Sequence, residues 1–413
     1  MQPALVVIAA GVCAALHVGK LAPAVTTLQA ELGLTLVQAG FLLSLVQGAG
    51  MLLGLVFGAL ADGLGARRSM VLGLAVLAAA SAAGGSVTGA SALTLLMACR
   101  VAEGFGFLLV VLPAPGLVRA LVPPARMAAM LGVWGAYMPL ATALALLLGP
   151  LCIAASGWRV WWWALALLSL FALLALRHTV PARPAAGSAA AATPQALPWS
   201  LRLRLTLAAP GPWWVALCFA MYSGQWLAVI GFLPTIYAQA GVAAGVTGLL
   251  TALVAATNII GNLSAGRLLQ RGVRPGVLLA AGFIAMGLAA LLAFGQVGGL
   301  ATLPPAARYA ALLGFSGFGG LIPATLFALA MRVAPGPQTV STTVGWLQQW
   351  SALGQFAGPP LVAAVANQAG GWQFTWVATG ALALAGLLFS ALLVRGRQSA
   401  AQRSIQAQRP DGR

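Results

Sequence analysis

Acidic residues are almost missing from this chain. Its 413 residues include 4 Asp and Glu against 21 Lys and Arg, and charged residues make up only 6% of it. A soluble protein of this length could not cover its surface with so little charge, so a soluble fold is excluded. Lysine is nearly absent too: Lys20 is the single one. The 4 cysteines, Cys13, Cys99, Cys152 and Cys218, fall in or at the ends of apolar runs. They have no metal-ligand spacing and no extracellular pair, so neither a zinc site nor a disulfide framework is expected. No phosphate-binding loop, dinucleotide fingerprint or nucleophile–base motif occurs, so no enzyme, no ATP-driven pump and no cofactor are expected. Long polar loops are scarce as well, which leaves no room for a soluble domain with its own core.

What is present is apolar length. Hydrophobic residues make up 61% of the chain and mean hydropathy is +0.98. Runs of about 20 apolar residues are the length of a membrane-spanning helix. They predict twelve helices near 4–27, 37–61, 70–89, 92–115, 127–152, 160–176, 213–236, 245–266, 275–297, 308–331, 339–365 and 372–394. The fold class expected is therefore an all-α polytopic membrane protein. The first run lacks a basic n-region and is read as a retained helix. A net charge of +17 would point to nucleic acid in a soluble protein. Here it follows topology. With the N-terminus placed in the cytoplasm, seventeen of the 21 basic residues fall on that side, Arg159 and Arg308 fall outside, and Lys20 and Arg100 lie within spans. That asymmetry is the positive-inside rule. It predicts a multi-pass protein of a bacterial inner membrane with both termini cytoplasmic, in contact with the lipid bilayer and not with nucleic acid.

The chain reads as two halves. A six-helix bundle is expected over 1–176, a cytoplasmic linker rich in Ala and Pro over 177–212, a second six-helix bundle over 213–394 and a basic tail over 395–413. Three matches recur in order. Gly58-Ala-Leu-Ala-Asp62-Gly63 aligns with Gly261-Asn-Leu-Ser-Ala265-Gly266, Pro113-Ala114 with Pro323-Ala324, and Gly157-Trp158-Arg159 with Gly371-Trp372-Gln373. A duplicated bundle of this kind suits two halves rocking about a site at the membrane midplane.

Gly58-Ala-Leu-Ala-Asp62-Gly63-Leu-Gly65-Ala-Arg67-Arg68 joins the second and third spans. Glycines let helices approach closely. An Asp can accept from free amides at a helix N-terminus, and an Arg pair can lock to it or to lipid phosphate. Gly58, Asp62, Gly65, Arg67 and Arg68 are thus the candidate gate. The pattern resembles the signature loop of the major facilitator superfamily of secondary transporters. In the fourth span, Arg100-Val-Ala-Glu103-Gly104-Phe-Gly106 resembles a second motif of that superfamily, with Glu103 where its exporters commonly carry Gln. The resemblance implies two pseudo-symmetric six-helix bundles, transport by alternating access and a proton-coupling role for Arg100. Gly231-Phe-Leu-Pro234-Thr-Ile-Tyr237 and Gly261-Asn262 loosely resemble the bacterial cyanate and nitroimidazole porter group. The fifth span keeps Gly149-Pro150 of the exporter motif but lacks its other glycines, so direction stays open.

Ionisable groups inside spans are expensive, about 2.5–3.5 kcal/mol each on insertion scales, and mark function. Arg100 and Glu103 are three apart on one helix face, as are His17 and Lys20. Glu103 is pulled one way by desolvation and the other by Arg100, which makes Arg100, Glu103 and His17 the candidates for proton coupling. If Arg100 pairs with Glu103, Lys20 is left as a spare cation, and an anionic or neutral polar solute follows. Lys20 could instead snorkel to the interface, and His17 could serve packing. Mid-span amides and aromatics supply further binding candidates: Gln47, Tyr137, Tyr222, Gln225, Asn258 and Gln349. Gln225 and Gln349 are preferred, because the resembled fold borders its cavity with the seventh and eleventh spans. Each could equally be helix–helix glue.

The function expected is a proton-coupled secondary transporter, a functional monomer, for a small anionic or polar organic solute. The alternatives are an efflux pump for a drug or a secreted metabolite such as a siderophore, and a transporter-like membrane sensor.

Overall fold

The computed structural model describes residues 2–89, 91–123, 130, 133–181, 197–295 and 303–407, with the side chains at 55–64, 337, 341 and 396–407 excepted. Residues 182–196 of the expected linker and the end of the basic tail, with Asp411, fall outside these residues, as do Arg126 and Arg183. Among the described residues every element is helical. The order is α1 Gln2–Gly19, α2 Val25–Leu32, α3 Leu36–Leu64, α4 Ala66–Gly85, α5 Ala92–Val111, α6 Ala114–Leu121, α7 Tyr137–Thr179, α8 Trp199–Ala208, α9 Pro210–Gln239, α10 Ala244–Gln270, α11 Pro275–Phe294, α12 Pro305–Gly319, α13 Leu321–Val333, α14 Val340–Ala369 and α15 Thr375–Ala407.

Among the described residues, ten stretches are long and apolar enough to cross a membrane. One of them, α7, has 43 residues. At 1.5 Å per residue it would run about 65 Å, twice the hydrocarbon thickness. It breaks at Gly157, whose φ of 82° is a conformation that a residue with a Cβ adopts only at a cost. The two arms are separate crossings. Counting α14 as well, which has 30 residues but carries Gln348, Gln349 and Gln355, the chain makes twelve crossings in two six-helix bundles. The first and last described residues then lie on one face, called here the terminal face. The opposite side is the far face.

Among the described residues, three crossings are interrupted close to a proline. α1 stops at Gly19, and a short 3-10 turn at Ala22–Ala24 containing Pro23 leads into α2. The fourth crossing breaks between α5 and α6 around Pro113, and the tenth between α12 and α13 at Gly320, three residues before Pro323. The last two breaks occupy equivalent places in the two halves. Interrupted helices at matching positions mark where a membrane protein opens its backbone to a central site.

The repeat extends to hydrogen bonds. Trp158 Nε1 donates to Glu31 Oε2 at 2.8 Å, tying the sixth crossing to the end of the first. Trp372 Nε1 donates to Gln239 Oε1 at 2.8 Å, tying the twelfth crossing to the end of the seventh. Glu31, expected in a loop, therefore sits in the helical extension α2 and anchors a tryptophan. It also accepts from Arg159 at 3.0 Å.

The halves meet along α3 with α14 and α7 with α10. Toward the far face the contact is close because small residues allow it. A Cβ on Gly40 would meet Pro360 Cα at 3.0 Å and Pro359 O at 3.1 Å. One on Gly248 would meet Leu146 O at 2.9 Å and Pro150 Cγ at 3.1 Å. A vestibule lies on this side, lined by residues that include Pro23, Thr26, Pro150, Pro234, Ala238 and Thr247, with about 330 Å³ open to water.

Candidate functional site

A second cavity lies between the halves on the terminal-face side. Its walls are Gln47, Gly50 and Gly54 of α3, Phe107 and Leu108 of α5, Tyr137 and Met138 at the start of α7, and Gly345, Gln348, Gln349, Ser351, Ala352 and Gln355 of α14, with Val111 and Leu112. No charged side chain is among them. About 50 Å³ is open to the centre of a water molecule, room for a few waters and no more. Four glutamine amides dominate the polar surface. Gln47 Nε2 donates to Gln355 Oε1 across the two halves at 3.1 Å. Gln349 Nε2 donates to Met51 O at 2.9 Å, also across the halves. Gln349 Oε1 is buried and has no partner. Tyr137 stacks on Trp134, ring centres 4.5 Å apart, so the ring forms a fixed flat wall.

The sequence-predicted binding residues divide here. Gln47, Tyr137 and Gln349 line the cavity. Tyr222 and Asn258 do not. Asn258 Nδ2 donates to the Tyr222 hydroxyl at 3.0 Å and to Ser316 O at 2.9 Å, and Asn262 Nδ2 donates to Asn258 Oδ1 at 2.9 Å. These polar groups satisfy one another and join α9, α10 and α12. Gln225 is fully buried on α9 and donates to Met221 O one turn back at 3.0 Å. It is not among the lining residues either.

One to two turns from the cavity along α3 and α5 lies a cluster of charge. His17, Lys20, Arg100 and Glu103 are all fully buried. Arg100 Nη1 donates to Glu103 Oε2 at 2.6 Å, the i,i+3 pair expected from the spacing. Lys20 Nζ pairs with the other oxygen, Glu103 Oε1. Lys20 is therefore not the spare cation that the spacing suggested: Glu103 bridges both cations, one on each oxygen. Arg100 also donates to His17 O at 2.6 Å and to Leu42 O at 3.1 Å, locking α5 to α1 and α3. Its Nη2 has no partner. Lys20 stands 4.7 Å from the centre of the Trp162 ring, a favourable cation–π placement in a dry site. The break in α1 frees Lys20 O, which accepts from Trp161 Nε1 at 3.1 Å.

Two serines complete the cluster. Ser81 Oγ accepts from Lys20 Nζ at 2.8 Å and donates to Trp162 O at 2.8 Å. Ser169 Oγ lies 2.8 Å from His17 Nε2 and donates to Leu165 O at 3.0 Å. Neither serine was singled out from sequence, though Ser169 is the one polar residue between Arg159 and Arg177, which is a legible signal.

At the candidate gate, Gly65 has φ 82° and makes the tight turn from α3 into α4. Arg67 Nη2 donates to Arg177 O at 2.7 Å, near the end of α7. A guanidinium at a helix C-terminus satisfies a carbonyl left free there and opposes the helix dipole. Arg68 is exposed. Gly58 and Asp62 lie in the last turns of α3, and the side chain of Asp62 is outside what is described.

Twelve crossings in two matched bundles, a cavity between them and buried charge beside it define a membrane transporter. The chain belongs to the Major Facilitator Superfamily, whose sequence profile matches residues 7–239 and 215–411. Among solved structures it is similar to a bacterial homologue of the human lysosomal transporter Spinster, in an inward-facing and occupied conformation. The TM-score is 0.73 over 95% of this chain and 96% of that one, at 15% identity. At that identity the likeness concerns the fold. No curated protein matches the chain in sequence.

Proposed function

We propose that this protein is a proton-coupled secondary transporter of a bacterial inner membrane, with both termini cytoplasmic, that moves a small polar solute by alternating access. It works as a monomer with protons as its coupling ion. The observation that carries this reading is the lining of the central cavity. Its polar side chains are four glutamine amides with the hydroxyls of Tyr137 and Ser351, no charge is among its lining residues, and Gln349 Oε1 is an unpartnered acceptor beside it. An amide offers both a donor and an acceptor, so it recognises neutral hydrogen-bonding groups. An anion finds no cation there, because Lys20 is committed to Glu103, Ser81 and His17. The expected anionic substrate thus loses its support, and an uncharged polar solute is favoured. The narrow cavity also favours a small solute over a bulky drug, and the loose likeness to the cyanate and nitroimidazole porter group is compatible with that.

The contacts between the halves support alternating access. Gln47 with Gln355 and Gln349 with Met51 bind across the cavity, while Gly40 and Gly248 close the far face. A solute that competes for these amides acts directly on the contacts that hold the two bundles together. The test is the thermal stability of the purified protein against neutral, anionic and cationic small molecules. A ligand of the folded state raises the unfolding midpoint by mass action. Neutral polar compounds should raise it, and Gln349→Ala and Gln355→Ala should abolish the shift. Stabilisation by anions alone, lost in Lys20→Met, would refute the neutral-solute reading.

A further inference from the structure

We propose that the coupling proton rides on Lys20 and leaves through His17 and Ser169, with Glu103 as fixed counter-ion; this rests on the proton-coupled reading above. The hydrogen-bond directions carry the inference. Ser169 Oγ reaches Leu165 O at 3.0 Å and His17 Nε2 at 2.8 Å; with its hydroxyl proton on Leu165 O, its oxygen accepts from His17, whose proton is then on Nε2. His17 Nδ1 is then a lone pair that faces Lys20 Nζ at 3.4 Å, with Glu103 Oε1 at 3.5 Å from the same nitrogen. Ser81 likewise spends its proton on Trp162 O and presents a lone pair to Lys20. Lys20 thus meets three acceptors, one for each N–H of an ammonium: Glu103 Oε1, Ser81 Oγ and His17 Nδ1.

The charge count shows which proton is in excess. With Lys20 protonated and His17 neutral, two cations face one carboxylate, a net charge of plus one with no water-exposed member. Burying an uncompensated charge costs several kcal/mol. Arginine does not deprotonate in proteins, so Lys20 is the cation able to release its proton. Cys99 of α5, next to Arg100 in the chain, is a further titratable group, and Cys13 Sγ lies 3.5 Å from Ser169 Oγ, nearer the terminal face along α1.

The step balances as a relay. The Lys20 Nζ–H bond breaks and an Nδ1–H bond forms on His17. The His17 Nε2–H bond breaks and an O–H bond forms on Ser169, which is fully buried here; its former O–H bond breaks as that proton passes to water admitted when the two bundles part. Lys20 is left a neutral amine with its lone pair toward the new Nδ1–H. His17 stays neutral in its other tautomer, and the cluster falls from plus one to zero. Lys20 is the carrier, and Ser169 both passes the proton on and sets the histidine tautomer.

The chain suits a direct test. With side-chain ¹⁵N lysine label, the one lysine gives one signal. His178 is exposed at the end of α7, and His178→Gln leaves His17 the only histidine. In nuclear magnetic resonance of the full chain, Lys20 should pass from ammonium to amine as pH rises. Over the same interval His17 should change from the Nε2–H to the Nδ1–H tautomer. Ser169→Ala should uncouple the two events, parting their midpoints by about tenfold or more in proton concentration. Gln in place of His17 should leave a lysine signal with no paired partner event. A lysine that stays an ammonium up to about pH 10, or a His17 that becomes an imidazolium by itself, would overturn the relay. None of these readouts involves a solute, so failure here would leave the transport reading standing.

Discussion

Replacing Glu103 by Gln is the most informative single perturbation of the buried cluster. The carboxylate holds Arg100 on one oxygen and Lys20 on the other, and all three are fully buried. Removing one partner from a buried pair costs about 3–5 kcal/mol, because the charge left behind is uncompensated. Here two charges are left. Arg100 keeps its bonds to His17 O and Leu42 O, and Lys20 keeps Ser81 and His17. These retained partners place the expected loss near the lower end of that range. Adding Lys20→Met to Glu103→Gln removes the surplus cation, so the double variant should regain at least about 1 kcal/mol of what the single one lost, a coupling of the size that neighbours in one network show. Equilibrium unfolding in detergent, followed by tryptophan fluorescence, measures both. A loss under about 1 kcal/mol for Glu103→Gln would match a solvated surface pair. That result, or strictly additive losses in the double variant, would refute a dry, mutually dependent cluster.

Other outcomes follow from other contacts. Gly248→Val must push α10 off Leu146 O and Pro150; overpacking of about 1–3 kcal/mol should open the far face, read as longer spin-label distances between positions 26 and 238, and unchanged distances would count against this closure. Trp158→Phe and Trp372→Phe remove equivalent bonds to Glu31 and Gln239 and should each cost about 0.5–1.5 kcal/mol of stability; a loss confined to one half would argue against equivalent roles. Asp62→Asn should leave solute binding intact and slow turnover if Asp62 latches the gate, and lost binding in a folded variant would remove that role.

The sequence made the spans legible because their apolar runs are long and their loops short. It also showed the Arg100–Glu103 pair, since a spacing of three on one helix needs no knowledge of any other helix. The Lys20–Glu103 bridge joins positions 83 apart, and depends on how α1 and α5 are rotated against each other. Helix rotation also separates Gln47 and Gln349, which face the cavity, from Tyr222 and Asn258, which face their neighbours. All four are mid-span polar residues, and only packing distinguishes a wall from a tie. The repeated Gly-Trp dipeptides were visible as a match, whereas their partners Glu31 and Gln239 were not, because they stand at helix ends far along the chain.

The central claim is that solute and proton move together and that Lys20 carries the proton. Proteoliposomes holding an internal pH indicator, given the neutral polar compound that best stabilises the protein, test it most directly. The native chain should move protons with the solute, and Lys20→Met should still exchange solute across the membrane without any proton movement. Solute transport with no proton movement in the native chain, or equal proton movement in Lys20→Met, would contradict it.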